Sequence, residues 1–196
     1  MSRLQSLGLI GLSCVIAASS GTVRAQRNAA VEYRVLATSK TSTMEKELNL
    51  AAEAGFRFVT VMGGETAIGG KEAISILSRR AGDKDRFQYK LLATSKTSSM
   101  QKEMQQAADA GFEYRAQTVF ETILGGKEVV CIMERDKDQP TAGMFQYRLL
   151  ATTKTSTMQK ELQQIGDLGY EALGMTIADT LMGGKELVTI TRKQVK

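Results

Sequence analysis

The chain contains no histidine, no tryptophan, one proline and two cysteines among its 196 residues. Without histidine it lacks the one side chain whose ordinary pKa lies near neutrality. The usual general base, the nucleophilic triads built on it and histidine-based metal sites are excluded with it. We therefore expect no catalytic residue, no metal and no cofactor. The cysteines, Cys14 and Cys131, lie far apart in sequence. If the N-terminal segment is removed, one thiol remains, and an intramolecular disulfide is impossible. The apolar runs are short as well. The longest, Leu7 to Ala18, is 12 residues, below the roughly 20 that span a bilayer.

That run sits where a secretory signal would place it. Arg3 supplies a short positive region, Leu7 to Ala18 an uncharged apolar stretch, and Val23-Arg24-Ala25 small residues at the positions a signal peptidase reads. Cleavage is expected between Ala25 and Gln26, giving an exported protein, periplasmic or secreted in a bacterium, with no membrane span after signal cleavage. An uncleaved anchor would demand a longer apolar run. A lipoprotein reading would use Cys14, whose upstream Gly11-Leu12-Ser13 departs from the usual pattern and which cuts the apolar stretch in half. Removing residues 1–25 takes away Arg3 and Arg24 and no acid, which lowers the formal charge of +5 by two, to +3. The excess is mild and spread along the chain. A nucleic-acid partner, which calls for a concentrated basic face, is not expected.

What the sequence does contain is a repeat. Ala37-Thr38-Ser39-Lys40-Thr41-Ser42-Thr43-Met44 returns almost unchanged at 93–100 and 151–158. Gly69-Gly70-Lys71-Glu72 returns at 125–128 and 183–186, and Tyr33, Tyr89 and Tyr147 head the three copies. The offset is 56 residues between the first two copies and 58 between the last two. The domain reading is a signal peptide at 1–25, then units at 26–80, 87–136 and 145–196. Linkers rich in charge and glycine, the second holding Pro140, separate the units.

Within a unit the pattern predicts strand, helix, strand, strand. Phe87, Tyr89, Leu91 and Ala93 alternate with more polar neighbours, the period of two of a half-buried strand. Leu36, Leu92 and Leu150 break the alternation and point to the face opposite the tyrosines. The helix is expected on the tyrosine side, leaving these leucines, with Leu77, Cys131 and Met133, on a second face for another unit or chain to cover. Ser42, Ser98 and Ser156 precede Glu45, Gln101 and Gln159 by three residues, the spacing of a capping box. Met44, Leu48, Ala51 and Ala52 form an apolar helix stripe, repeated as Met100, Met104, Ala107 and Ala108 and as Met158, Leu162 and Ile165. Glu47, Glu103 and Glu161 read as its solvated side. Gly55, Gly111 and Gly169 end the helices. The last strand of each unit is the most apolar and is expected in the middle of its sheet. The fold class is thus α+β: three tandem β-α-β-β units, each a three-stranded mixed sheet in order 1-3-2 with one helix on one face.

The residues also carry a resemblance. Phe145-Gln146-Tyr147-Arg148, followed by Leu162-Gln163-Gln164-Ile165-Gly166-Asp167-Leu168-Gly169-Tyr170-Glu171 and a final Val/Ile-rich strand, resembles the bacterial domain of unknown function 4177. All three units align to it, with Phe or Tyr after the last glycine where that family typically has Trp. The resemblance implies the same β-α-β-β unit. It implies no activity, because none is established for the family.

Two segments are candidate sites. Lys40, Thr41 and Ser42, with Lys96, Thr97 and Ser98 and with Lys154, Thr155 and Ser156, stand at helix N-termini, where free N–H groups, the helix dipole and a lysine suit a phosphate or carboxylate. Helix capping plus a surface lysine explains the same residues without a ligand. The turn before the last strand presents Ile68 and Lys71, Leu124 and Lys127, and Met182 and Lys185, an apolar lip for a protein partner if it projects or an ordinary glycine hairpin. Cys131, alone on an apolar strand, reads as a packed small hydrophobe. The expected function is that of an exported, non-enzymatic binding or structural protein that meets a protein partner or itself through the second sheet face. A small-anion-binding protein using the Lys-Thr-Ser segments is the alternative.

Overall fold

A computed structural model describes residues 30–68, 70–94, 96–121, 127–139, 141–179 and 184–195. The element order is β1 (Val31–Thr38), α1 (Thr41–Glu53), β2 (Arg57–Thr66), β3 (Gly70–Arg80), β4 (Phe87–Thr94), α2 (Thr97–Asp109), β5 (Glu113–Glu121), β6 (Lys127–Asp136), β7 (Phe145–Thr152), α3 (Thr155–Asp167), β8 (Glu171–Asp179) and β9 (Lys185–Gln194). These form three sheets, ordered β1-β3-β2, β4-β6-β5 and β7-β9-β8, each with one helix. The last strand of each unit lies in the middle. All ladders are antiparallel, so each sheet is mixed only in that its two outer strands run the same way without touching.

The helix ends match the expected motifs at one end only. At the C-termini, Gly55, Gly111 and Gly169 take φ of 84°, 87° and 85°, the left-handed region open to glycine at little cost. The next residue closes the motif: Phe56, Phe112 and Tyr170 donate their N–H to the carbonyls of Ala51, Ala107 and Ile165. At the N-termini the expected capping box does not form. The N-cap residues are Lys40, Lys96 and Lys154, and no side chain caps the first turn. Thr38, Thr94 and Thr152 instead accept the lysine N–H groups two residues on, which moves the helix start two residues ahead of the serines. The Glu and Gln of the expected box are thereby freed for another task.

The face covered by each unit's own helix is also the reverse of the expectation. Leu36 packs with Met44, Leu48, Ala51 and Ala52 of α1, and Leu92 with Met100 and Met104 of α2. Leu77, Cys131 and Met133 lie on that same helix side. The tyrosine face is the second face. Strand alternation says which residues share a face. It does not say which face the crossover lands its helix on, and here both were apolar enough to serve. Glu47, Glu103 and Glu161 are half-buried rather than fully solvated.

The units stack through this reversal. Tyr89, Val130 and Ile132 of the second sheet join the core around α1, and Tyr147 and Ile190 of the third join that around α2. The described layers therefore run sheet, helix, sheet, helix, sheet, helix. The central strand β6 is buried on both faces from Val129 to Met133. Its Cys131 has no exposure, and burial pushes the thiol well above its ordinary range. It behaves as a packed apolar side chain. Neighbouring sheets also meet directly along β2, β5 and β8.

Candidate functional site

The surface used twice to join units is the most developed feature of the molecule. An edge strand exposes alternate N–H and C=O groups that must be answered. In β4 they are answered by side chains of the preceding helix. Asn49 donates to the carbonyl of Tyr89 and accepts its N–H, both at 2.9 Å, and Glu45 accepts the N–H of Leu91 at 2.8 Å. In β7 the same positions of α2 do the same. Gln101 donates to Tyr147 O and accepts Leu149 N–H, each at 2.7 Å, while Gln105 accepts Tyr147 N–H and donates to Phe145 O. α1 and α2 thus each act as an extra strand for the next unit's edge.

A tyrosine anchors each junction. Tyr89 is 2% exposed, and its hydroxyl accepts the Phe58 N–H of the preceding unit at 2.8 Å while donating to Glu134 at 2.9 Å. Burial, with the Glu134 carboxylate adding to it, pushes this phenol far above its ordinary value, so it stays a donor. Tyr147 repeats the arrangement on the Tyr114 N–H at 3.0 Å, and burial raises it too.

Charge distinguishes the two junctions. At the first, the buried Glu134 carboxylate meets Arg57 of the preceding unit at 2.9 Å and also Arg115. At the second, the equivalent of Glu134 is Arg192 and the equivalent of Arg57 is Glu113, paired at 3.2 Å. The signs are exchanged. Docking the third sheet on the first helix would oppose Arg192 to Arg57, and like charges in a part-buried contact oppose that order. The stacking sequence is thereby specified.

The candidate residues read from the sequence take up separate places. Lys40, Lys96 and Lys154 are exposed at the N-caps; Thr41 and Thr97 are half-buried and Thr155 exposed, and Ser42, Ser98 and Ser156 are exposed. In the hairpin lip, Ile68 is fully exposed at the tip of the first turn, and Lys71 is half-buried in β3. Lys127 and Lys185 open β6 and β9, while Leu124 and Met182 lie outside the described residues. Among the described residues, no group of three acidic or cysteine side chains could hold a metal ion, and no helix is long and apolar enough to cross a membrane. Of the junction residues, Asn49 and Gln105 were missed by sequence reasoning, and Glu45 and Gln101 were assigned to helix capping instead. Their signal was present: amide or acid side chains at matching positions, one helical turn apart, in all three units.

Comparison of the chain with protein-family models, with curated proteins and with solved structures gives no match. What fold and junction define is a class, a tandem-repeat α+β stack whose units are joined helix to strand.

Proposed function

We propose that the chain is an exported, non-enzymatic binding or structural protein, built from three repeats that resemble the domain of unknown function 4177. It acts by protein–protein contact at the ends of its stack. Export rests on Arg3, the apolar Leu7–Ala18 stretch and the Val23-Arg24-Ala25 site. One observation carries the rest: the outer face of the first unit exposes Tyr33, Val35 and Met62. Terminal units of stacked repeats ordinarily turn a polar face outward, because nothing else covers them. An apolar end is a surface with an occupant.

Oxidative footprinting tests this. Met62 and Met175, both exposed, should be protected in the exported fraction relative to dilute purified protein, while buried Met44 and Met104 stay unreactive in both. Equal labelling of Met62 and Met175 in the two samples would sink the reading. A second reading, small-anion binding at the Lys-Thr-Ser segments, is favoured by the missing side-chain caps on all three helices. It predicts that phosphate raises the melting temperature of the protein and that the triple variant Lys40→Ala, Lys96→Ala, Lys154→Ala loses the shift. A parent protein indifferent to phosphate retires it.

A further inference from the structure

The two open ends of the stack correspond to the two halves of the junction made twice inside it. At one end, Tyr33, Val35, Ile74 and Ile76 occupy the positions that in the second unit are Tyr89, Leu91, Val130 and Ile132 and in the third Tyr147, Leu149, Val188 and Ile190. Tyr89 and Tyr147 are 2% and 1% exposed; Tyr33 is 65% exposed. No helix precedes β1 among the described residues to answer its edge.

At the other end, α3 carries Gln159 and Gln163 where α1 has Glu45 and Asn49 and α2 has Gln101 and Gln105. Both glutamines are exposed, and Gln163 donates only to Asp167 of its own helix. Gly166 stands where Ala52 and Ala108 are buried, and a Cβ built on it would meet nothing within 4 Å. Beside α3, Met175 and Ile177 of β8 are 60% and 57% exposed. Their equivalents on β2 face the next unit: Val61 packs into the core shared with the second sheet, and a Cβ on Gly63 would strike Val119 of β5.

We propose that the first unit of one copy docks on the last helix of another, head to tail, as a third instance of the junction already made twice within the chain. This rests on the binding reading above and names the partner as a second copy. Gln159 takes the Tyr33 carbonyl and the Val35 N–H, and Gln163 takes the Tyr33 N–H, as Gln101 and Gln105 do for β7. The Tyr33 hydroxyl reaches the Ala172 backbone, as Tyr89 reaches Phe58 and Tyr147 reaches Tyr114. Charge permits it. The incoming residue equivalent to Glu134 and Arg192 is Ser78, which meets Glu171 without a like charge. A contact between unlike surfaces leaves a free end of each kind, so assembly continues to longer stacks unless the rotation closes a ring.

Sedimentation or light scattering over a series from about 1 μM to about 1 mM should show the mass of the purified protein rising beyond a dimer. Val35→Asp blocks one end and Ile177→Asp the other; both residues are exposed, so neither change touches the core. Each variant alone should stay monomeric, and the two mixed should form a one-to-one dimer through their unblocked ends. Gln163→Arg should block the same end as Ile177→Asp and likewise be rescued only by mixing with Val35→Asp. A parent protein that stays monomeric throughout overturns the proposal, as does a variant that still dimerises alone, which would mark a symmetric contact. Monomeric behaviour together with protection of Met62 and Met175 in the exported fraction would overturn self-docking while leaving the binding reading intact.

Discussion

Tyr89→Ala should cost about 3–5 kcal/mol of stability, whereas Tyr33→Ala, at the same place in another repeat, should change it by under about 0.5 kcal/mol. The side chains are identical and so is their position in the strand. The difference is the neighbour. Tyr89 fills the core between α1 and the second sheet, tilted against Phe58 with ring centroids 6.3 Å apart. Its removal leaves a cavity and also strips the Phe58 N–H and the Glu134 carboxylate of a partner. Tyr89→Phe separates the two contributions: it keeps the ring and should retain all but about 1–3 kcal/mol, the cost of leaving buried polar groups unanswered. Urea melts in dilute solution measure all three. Comparable losses for Tyr89→Ala and Tyr33→Ala would mean that the first unit's outer face is covered within a single chain, contrary to the stack described.

Gly63→Ala should be the most damaging of the glycine changes, at about 3 kcal/mol or more, with Gly64→Ala next to it close to neutral. Gly63 donates its N–H to the Thr118 hydroxyl at 2.8 Å, and a Cβ there would fall well inside van der Waals contact of the Val119 carbonyl. That obstacle is backbone of the neighbouring sheet and cannot swing aside as a side-chain end would. β2 and β5 must separate, and the bond to Thr118 goes with the contact. A Cβ on Gly64 meets nothing within 4 Å. Thermal or urea melts of the two variants compare them directly. Equal behaviour would show that the close crossing of these strands is not required for the units to stack.

The repeat, the order of elements and the central place of the third strand were legible because they depend on neighbours in sequence. Apolar periods of two and of 3.6 residues are properties of a local stretch. So is the helix ending at Gly55, Gly111 and Gly169, where a left-handed residue and the aromatic after it close the motif within a few positions. The capping box failed on the same ground. Ser42 and Glu45 have its spacing, but Thr38 competes for the start of the helix and the edge of β4 competes for Glu45. The second competitor stands 46 residues away from Glu45.

By itself, then, the sequence determined three copies of a β-α-β-β unit and the residues that share each face of its first strand. Only the tertiary structure decided which face the helix covers, and therefore that Leu36 and Leu92 belong to their own helix and Tyr89 and Tyr147 to the previous one. It also gave Asn49 and Gln105 their task and left Gln163, their counterpart, and Tyr33, the counterpart of Tyr89 and Tyr147, without one. The physical reason is that three nearly equal units carry nearly equal local information. What makes them different is position in the stack: among the described residues, the middle unit is covered on both sides, and each end unit on one.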